Sequence, residues 1–124
     1  MAHAATVLLV EDEVMISQLV AESLSEQGFI VHESKTASDA WDYLTSGVEV
    51  DVLFTDINLP GGMDGRELAR KARQLRPDMP IVYASGRYQP SDMGALVPRS
   101  VFLSKPYDPD DVGTLLARLT DRAH

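Results

Sequence analysis

Three carboxylates, one hydroxyl and one ammonium stand at or just beyond the ends of short apolar runs in this 124-residue chain. They are Glu11, Asp12, Asp56, Ser85 and Lys105. Carboxylates brought close together repel one another, and a divalent cation or a nearby lysine relieves that repulsion. A carboxylate that faces such a cation and a lysine is a competent nucleophile toward phosphorus, because aspartyl phosphate is a covalent intermediate that proteins use. The set therefore predicts Mg²⁺-assisted phosphoryl chemistry at an aspartate.

These residues meet only if the apolar runs before them form one parallel sheet. The runs are continuous in apolar character and read as strands at Thr6–Val10, Phe29–His32, Val52–Thr55, Ile81–Ala84 and Val101–Leu103. Continuous apolar strands are typical of a parallel sheet whose two faces are both covered by helices. With right-handed crossovers, we expect an α/β fold, a three-layer α/β/α sandwich with the flavodoxin-like strand order 2-1-3-4-5.

Segments of helical periodicity separate the strands and predict the helices. They begin near Val14, Ala37, Asp64 and Asp108. The predicted apolar stripe of the first helix is Ile16, Leu19, Val20 and Leu24, and that of the third is Leu68, Ala69, Ala72 and Leu75. Residues 86–100 carry two prolines and two glycines, so we expect a short or irregular fourth helix there. The basic cluster of the third helix is interpreted as a solvated face: Arg66, Arg70, Lys71, Arg73 and Arg76.

The net charge of −8 is unevenly distributed and excludes several classes of partner. Residues 1–60 hold 11 acids and one base, whereas residues 61–124 hold 8 acids and 10 bases. An acidic chain is a poor candidate for nonspecific binding to DNA or anionic membranes, so we expect neither partner. The absence of cysteine excludes disulfides and thiol catalysis. With neither a signal peptide nor an apolar run of about 20 residues, we expect one cytoplasmic domain, 1–124, with its core at 6–120.

The strand-end residues and their flanking motifs resemble the receiver domain of bacterial two-component response regulators. The motifs are LLVEDE at 8–13, DINLPGGMDG at 56–65, VYASG at 82–86 and FLSKPY at 102–107. The resemblance extends from about Thr6 to Thr120, essentially the whole chain. Each motif alone is weak, but their order and receiver-like spacing make the resemblance specific.

The resemblance implies a role for each residue of the set. Asp56 would accept a phosphoryl group from the phosphohistidine of a sensor histidine kinase. Asp12 and Asp56 would bind Mg²⁺, or Mn²⁺ in its place, directly, and Glu11 would do so through water. The backbone carbonyl of Asn58 would supply a further ligand. Lys105 would pair with Asp56 and then with the phosphoryl group.

The resemblance also implies a switch built from Ser85 and Phe102. The phosphoryl group would draw Ser85 inward, and Phe102 occupies the position of the switch aromatic residue. The face formed by the fourth helix, fifth strand and last helix would then control a protein partner or relay phosphate to a histidine phosphotransfer protein. Such a receiver catalyses its own phosphorylation and dephosphorylation but is not a turnover enzyme. We expect a monomer or weak dimer, stand-alone or excised from a larger protein, with a cis Lys105–Pro106 peptide bond.

Two other functions fit an acidic strand edge less well. A small phosphohydrolase with an aspartyl nucleophile, of the haloacid-dehalogenase type, carries a second aspartate two residues after the first, where this chain has Asn58. A nucleotide-binding module of the flavodoxin type cradles phosphate in its first loop. Here that loop is Glu11-Asp12-Glu13, which repels phosphate unless a metal intervenes. The phosphohydrolase stays the alternative hypothesis.

Overall fold

The fold is a five-stranded sheet with four helices, seen in a computed structural model that describes residues 4–86 and 97–120. Its elements are β1 (Thr6–Val10), α1 (Val14–Glu26), β2 (Ile30–Ser34), α2 (Ala37–Thr45), β3 (Val52–Asp56), α3 (Gly65–Leu75), β4 (Ile81–Ser85), β5 (Ser100–Ser104) and α4 (Pro109–Thr120). The short fourth helix predicted between residues 86 and 100 falls mainly on 87–96, which lie outside the described residues. Among the described helices, none is both long and apolar enough to cross a membrane.

The sheet confirms the predicted topology. All neighbouring strands are parallel, and their order is β2-β1-β3-β4-β5. Helices α2 and α3 pack on one face of the sheet, and α1 and α4 pack on the other. The predicted three-layer sandwich is therefore confirmed, with the first and third strands adjacent, where the strand order reverses.

Burial on both faces explains why the central strands are apolar without alternation. In β1, Leu8 and Val10 contact the core beneath α2 and α3, whereas Val7 and Leu9 contact the core beneath α1 and α4. Every residue of β3 and β4 is buried. Each fully buried leucine or valine side chain contributes about 2 kcal/mol to stability, so the central strands supply a large part of the folding free energy.

The prediction that Leu19 and Leu75 lie on the buried faces of their helices is wrong. Leu19 of α1 is 64% exposed, because the buried stripe of that helix consists of Ser17, Val20, Ala21 and Leu24. The small Ser17 and Ala21 lie where the helix meets the sheet, and Leu19 lies on nearly the opposite side of the helix. Leu75, in the last turn of α3, is also exposed.

The interpretation of the third helix's basic cluster is wrong for two of its members. Arg73 donates hydrogen bonds to five backbone carbonyls, those of Arg76, Pro77, Met79, Pro98 and Arg99. Arg76 donates to the carbonyls of Leu44 and Val48. Two of these carbonyls, those of Arg76 and Leu44, lie at helix ends, where they have no partner within the helix, and the others lie in connecting segments. The two guanidinium groups therefore bind helix ends and connecting segments to α3 rather than forming a solvated face.

Candidate functional site

The carboxyl ends of β1 and β3 bring three predicted acidic residues together. Glu11 and Asp12 directly follow β1, and Asp56 is the last residue of β3. One carboxylate oxygen from each of the three lies within 4.8 Å of the others. Within the described ranges, no other group of three acidic or histidine side chains comes this close. The strand-end prediction therefore describes a real cluster in the folded chain.

Lys105 lies between two of these carboxylates. Its Nζ donates hydrogen bonds to Glu11 Oε1 at 3.0 Å and to Asp56 Oδ2 at 3.1 Å. Both acids are buried, and the lysine side chain is 22% exposed. The sequence indicated a pairing of Lys105 with Asp56, but it did not indicate that Glu11 shares the ammonium. Asp12, by contrast, is exposed at the mouth of the cluster.

The protonation equilibria reflect two buried carboxylates that share one cation. Burial raises the pKa of Asp56, and the hydrogen bond and charge of Lys105 only partly offset that effect. Burial likewise raises the pKa of Glu11, against the hydrogen bonds from Glu13 N and from Lys105. Burial alone would lower the pKa of Lys105, but the hydrogen bonds to Glu11 and Asp56 raise it above its ordinary value. The cluster therefore has an excess of negative charge and would be stabilised by a further cation.

This donor set suits Mg²⁺. The ion prefers hard oxygen ligands and is held in proteins by one or two carboxylates together with water and phosphate oxygens. Here three carboxylate oxygens converge, and burial disfavours the ionised state of two of the acids. A divalent ion would reverse that penalty, so the residues present fit a magnesium site.

The other predicted site residues surround this cluster. Ser85 is buried at the end of β4, and its carbonyl accepts a hydrogen bond of 3.0 Å from Lys105 N. The Lys105–Pro106 peptide bond is cis, as predicted. Asn58 is half-buried, two residues beyond the end of β3. Phe102 is half-buried on β5 and packs against the core beneath α2 and α3.

Gly65, the first residue of α3, was not predicted as a site residue. A methyl group placed on it would lie 2.0 Å from the backbone carbonyl oxygen of Asp56. Its N–H donates to Ile57 O at 2.9 Å, and the Asp64 side chain caps the helix through Glu67 N. Helix α3 therefore begins directly against the backbone of Asp56. The signal in the sequence was a glycine at the first helical position, where its low helix propensity needs another explanation.

An apolar groove, here called the α1 groove, lies beside the cluster. Its volume is about 350 Å³, and it is lined by Ile16, Leu19, Val20, Lys105, Pro106, Tyr107 and Pro109. Leu19 and the neighbouring Met15, which is 78% exposed, present apolar surface to solvent. Tyr107 lines the groove beside Lys105, and burial together with the charge of Glu11 raises the pKa of its hydroxyl to about 12. Periodicity had predicted Leu19 as core, so this surface was missed.

Comparison with families and curated proteins identifies relatives of the chain. The family model described as the response regulator receiver domain matches residues 7–117. The sensor kinase CckA of Brucella abortus is 36% identical over 87 residues, covering 69% of this chain and 9% of the kinase. A chemotaxis protein CheY homolog of Campylobacter jejuni is 37% identical over 78 residues, covering 60% of this chain and 59% of the homolog. The matches thus span less than two thirds of these relatives.

Solved structures agree with the fold over nearly the whole chain. A response regulator receiver protein from Sinorhizobium medicae WSM419 is 34% identical, with a TM-score of 0.86 and 94% of both chains covered. The receiver domain of the hybrid histidine kinase CckA is 25% identical, with a TM-score of 0.81, and the match covers 94% of this chain and all of that domain.

Proposed function

Because the chain belongs to the response regulator receiver domain family, the signalling switches of two-component systems, we propose that it is a switch with Asp56 as its phosphoacceptor. The observation that carries the proposal is the Lys105 ammonium, held between Glu11 and Asp56 beside the carboxylate of Asp12. Receiver domains are generally not turnover enzymes, and the proposed reaction modifies the protein itself. We assign it to one domain with its core at 6–120, supported by the single sheet.

The proposed reaction transfers a phosphoryl group from a phosphohistidine of a sensor kinase or histidine phosphotransfer protein. A carboxylate oxygen of Asp56 attacks phosphorus, and a P–O bond forms as the P–N bond breaks. The electron pair of the broken bond remains on the imidazole nitrogen. Lys105, already within hydrogen-bonding distance of Asp56, pairs with the oxygens of the transferred group. Attack by water on phosphorus then breaks the bond to the Asp56 oxygen, releases inorganic phosphate and restores the Asp56 carboxylate.

Receiver domains typically bind Mg²⁺ at an acidic pocket, and the residues of this chain fit that ion. Asp12, Asp56 and the backbone carbonyl of Asn58 would hold Mg²⁺, or Mn²⁺ in its place, and Glu11 would contact it through water. When bound, the ion supplies positive charge that neutralises the phosphoryl oxygens. Glu11 is already committed to Lys105 and to Glu13 N, which favours an indirect contact over direct ligation.

The proposed response to phosphorylation runs through Ser85 and Phe102. Both lie on the sheet face covered by α2 and α3, since Phe102 pairs with Tyr83 and Ser104 with Ser85 in the parallel register. A hydroxyl drawn toward the phosphoryl group would leave room for the half-buried Phe102 ring to move inward. The surface around β5 and α4 would change with it and control a protein partner or a phosphorelay.

The experiment that tests the phosphoacceptor combines Mg²⁺ and acetyl phosphate with intact-protein mass spectrometry. We expect the mass to rise by one phosphoryl group, and the gain to disappear in Asp56→Asn. Asp42→Asn, the same change at an exposed position of α2, is the matched control and should be phosphorylated normally. The proposal fails if the unmodified protein gains no phosphoryl group or if Asp56→Asn still gains one.

The α1 groove supports a docking site for the phosphodonor protein. It adjoins Lys105, so an apolar helix carrying the phosphohistidine could bury Leu19 and Met15 while its imidazole reaches Asp56. We expect Leu19→Glu to slow phosphotransfer from a cognate histidine kinase about tenfold or more while leaving acetyl phosphate labelling unchanged. Leu75→Glu, an exposed leucine in the last turn of α3, is the control. Equal loss in both variants, or in both donors, would contradict this docking site.

A further inference from the structure

A buried hydroxyl lies beside the predicted switch aromatic residue. Tyr83 of β4 is 1% exposed, and its partner in the parallel register of β5 is Phe102. Both side chains contribute to the core beneath α2 and α3. Phe102 has no hydroxyl, so the phenolic oxygen of this cross-strand pair belongs to Tyr83 and stands on β4.

The Tyr83 hydroxyl is bonded to the segment that leads into β5. Val97 packs against the core that contains Tyr83, and its backbone and the side chain of Ser100 lie within hydrogen-bonding reach of the phenol. The Ser100 hydroxyl in turn donates to Val97 O at 2.6 Å. A buried polar group that loses its partners is costly, so these bonds tie the segment 97–100 to β4.

The same segment is tied on its other side to α3. Arg73 donates to Pro98 O at 3.0 Å and to Arg99 O at 3.2 Å. The Arg73 bonds connect the segment to a helix that does not carry the predicted switch residues, whereas the Tyr83 bonds connect it to a strand that ends at Ser85. Tyr83 and Ser85 are two residues apart on β4, so their side chains point to the same face of the sheet.

We propose that Tyr83 is a positioning residue that couples the state of the Asp56 pocket to the segment 97–100, a coupling that rests on the phosphoacceptor function proposed above. Ser85 joins β4 to the pocket, and a displacement of the strand end toward a phosphoryl group carries the Tyr83 ring with it. Its hydroxyl then changes its contacts with Val97 and Ser100, and the neighbouring Phe102 ring repacks. In this chain two hydroxyls of β4, those of Ser85 and Tyr83, therefore act together with the Phe102 ring of β5.

Hydrogen–deuterium exchange of the full chain, with and without acetyl phosphate and Mg²⁺, tests the coupling. In the unmodified protein we expect phosphorylation to change the exchange of amides 97–104. Tyr83→Phe removes only the hydroxyl, and its rate of labelling at Asp56 should be unchanged. Without phosphorylation, its amides 97–104 should exchange about fivefold faster, the factor given by one hydrogen bond of ordinary strength. Phosphorylation should then change them little further.

The controls distinguish a failure of the coupling from a failure of the phosphoacceptor function and from a general loss of stability caused by removing a tyrosine hydroxyl. Tyr43→Phe, which removes a hydroxyl from the ring stacked on His32, is the control and should behave as the unmodified protein. If phosphorylated and unphosphorylated Tyr83→Phe differ at 97–104 as much as the unmodified protein does, the coupling is wrong. If the unmodified protein is not labelled at all, the phosphoacceptor function itself fails. Should Tyr83→Phe not fold, Ser100→Ala must reduce the phosphorylation-dependent difference, and a full difference there overturns the coupling.

Discussion

The Lys105 ammonium is the one cation within hydrogen-bonding reach of Glu11 and Asp56 in the part of the chain that the structure describes. Removing one member of a buried ion pair leaves the other charge uncompensated, which is more costly than the pair is favourable. In this cluster a single ammonium serves two carboxylates, so its loss leaves both of them unpaired. The balance of charge in the pocket therefore depends on residue 105 more than on any one acid.

We expect Lys105→Met to destabilise the Mg²⁺-free protein by roughly 2 kcal/mol, less than for a fully buried pair because the lysine is partly exposed. Urea unfolding in EDTA at pH 7.5 measures this loss. Lys35→Met, which removes an exposed lysine on the β2–α2 connection, is the control and should change stability little. Equal effects of the two substitutions would contradict the assigned ion pairs.

The raised pKa of Asp56 predicts a pH-dependent effect of Asp56→Asn. Burial raises its pKa in the folded state above the unfolded value, so the folded protein binds the proton more tightly. Stability from this group is therefore lost as pH rises from the unfolded pKa toward the raised folded pKa. In EDTA at pH 7.5 the asparagine variant should be more stable than the unmodified protein, because it removes the ionised carboxylate that burial disfavours. Urea unfolding should show that gain vanish as pH falls below about 4, and a gain that persists there would contradict the assignment.

At the scale of elements, the pattern of apolar residues predicted the strands of the sheet correctly, but it did not predict correctly which side of each helix is buried. Apolar runs predicted all five strands. The central strands β3 and β4 are buried on both faces, as such runs indicate, whereas the edge strands β2 and β5 are partly exposed and carry polar residues at their ends. Leu19 was misassigned because periodicity places the larger apolar residues of a helix in its buried stripe. In α1 the small residues Ser17 and Ala21 are buried instead. Arg73 was misassigned because its carbonyl partners include residues about 25 positions away, which no local pattern reveals.

The part of the site that could be predicted from the sequence is the part formed by residues at the strand ends. Parallel strands deliver their last residues to one edge, so the meeting of Glu11, Asp12 and Asp56 followed from topology. The sharing of Lys105 with Glu11 did not follow, since it depends on side-chain conformation rather than on strand order. The close approach of α3 to Asp56 was likewise beyond a sequence pattern, because it is a contact with backbone atoms.

That approach makes Gly65 a sensitive position at the junction of β3 and α3. In Gly65→Ala the new methyl group would overlap the Asp56 carbonyl, so the start of α3 or the end of β3 must shift. We expect a loss of roughly 2 kcal/mol in unfolding free energy and slower labelling of Asp56 by acetyl phosphate. Gly62→Ala is the control, because nothing lies within 4 Å of a methyl group at that position. Normal labelling and stability of Gly65→Ala would show that the junction is not constrained.

At the scale of the whole molecule, folding brings Lys105 from the second half of the sequence into contact with acidic residues of the first half. The Lys105 bonds to Asp56 and Glu11 span 49 and 94 residues of sequence, so the pocket exists only in the complete fold. The −10 charge of residues 1–60, from 11 acids and one base, is partly the charge of this pocket without its cation. An ion that binds there stabilises the entire domain, because the unfolded chain cannot assemble the same ligands.

Magnesium should therefore raise the melting temperature of the whole protein. At a Mg²⁺ concentration ten times the dissociation constant, linkage gives about 1.4 kcal/mol, or about 5 °C for a domain of this size. A calorimetric or fluorescence melt in EDTA and in millimolar MgCl₂ measures the shift. NaCl at equal ionic strength is needed as a control, because screening alone reduces the self-repulsion of a chain with net charge −8. In Asp12→Asn, NaCl should still raise the melting temperature, but the additional rise caused by Mg²⁺ should disappear. Asp12 belongs to the acidic cluster and does not bond to Lys105, so its loss removes a metal ligand without breaking an ion pair. A Mg²⁺ shift that NaCl reproduces in full would leave the three carboxylates without a bound ion and overturn the proposed metal site.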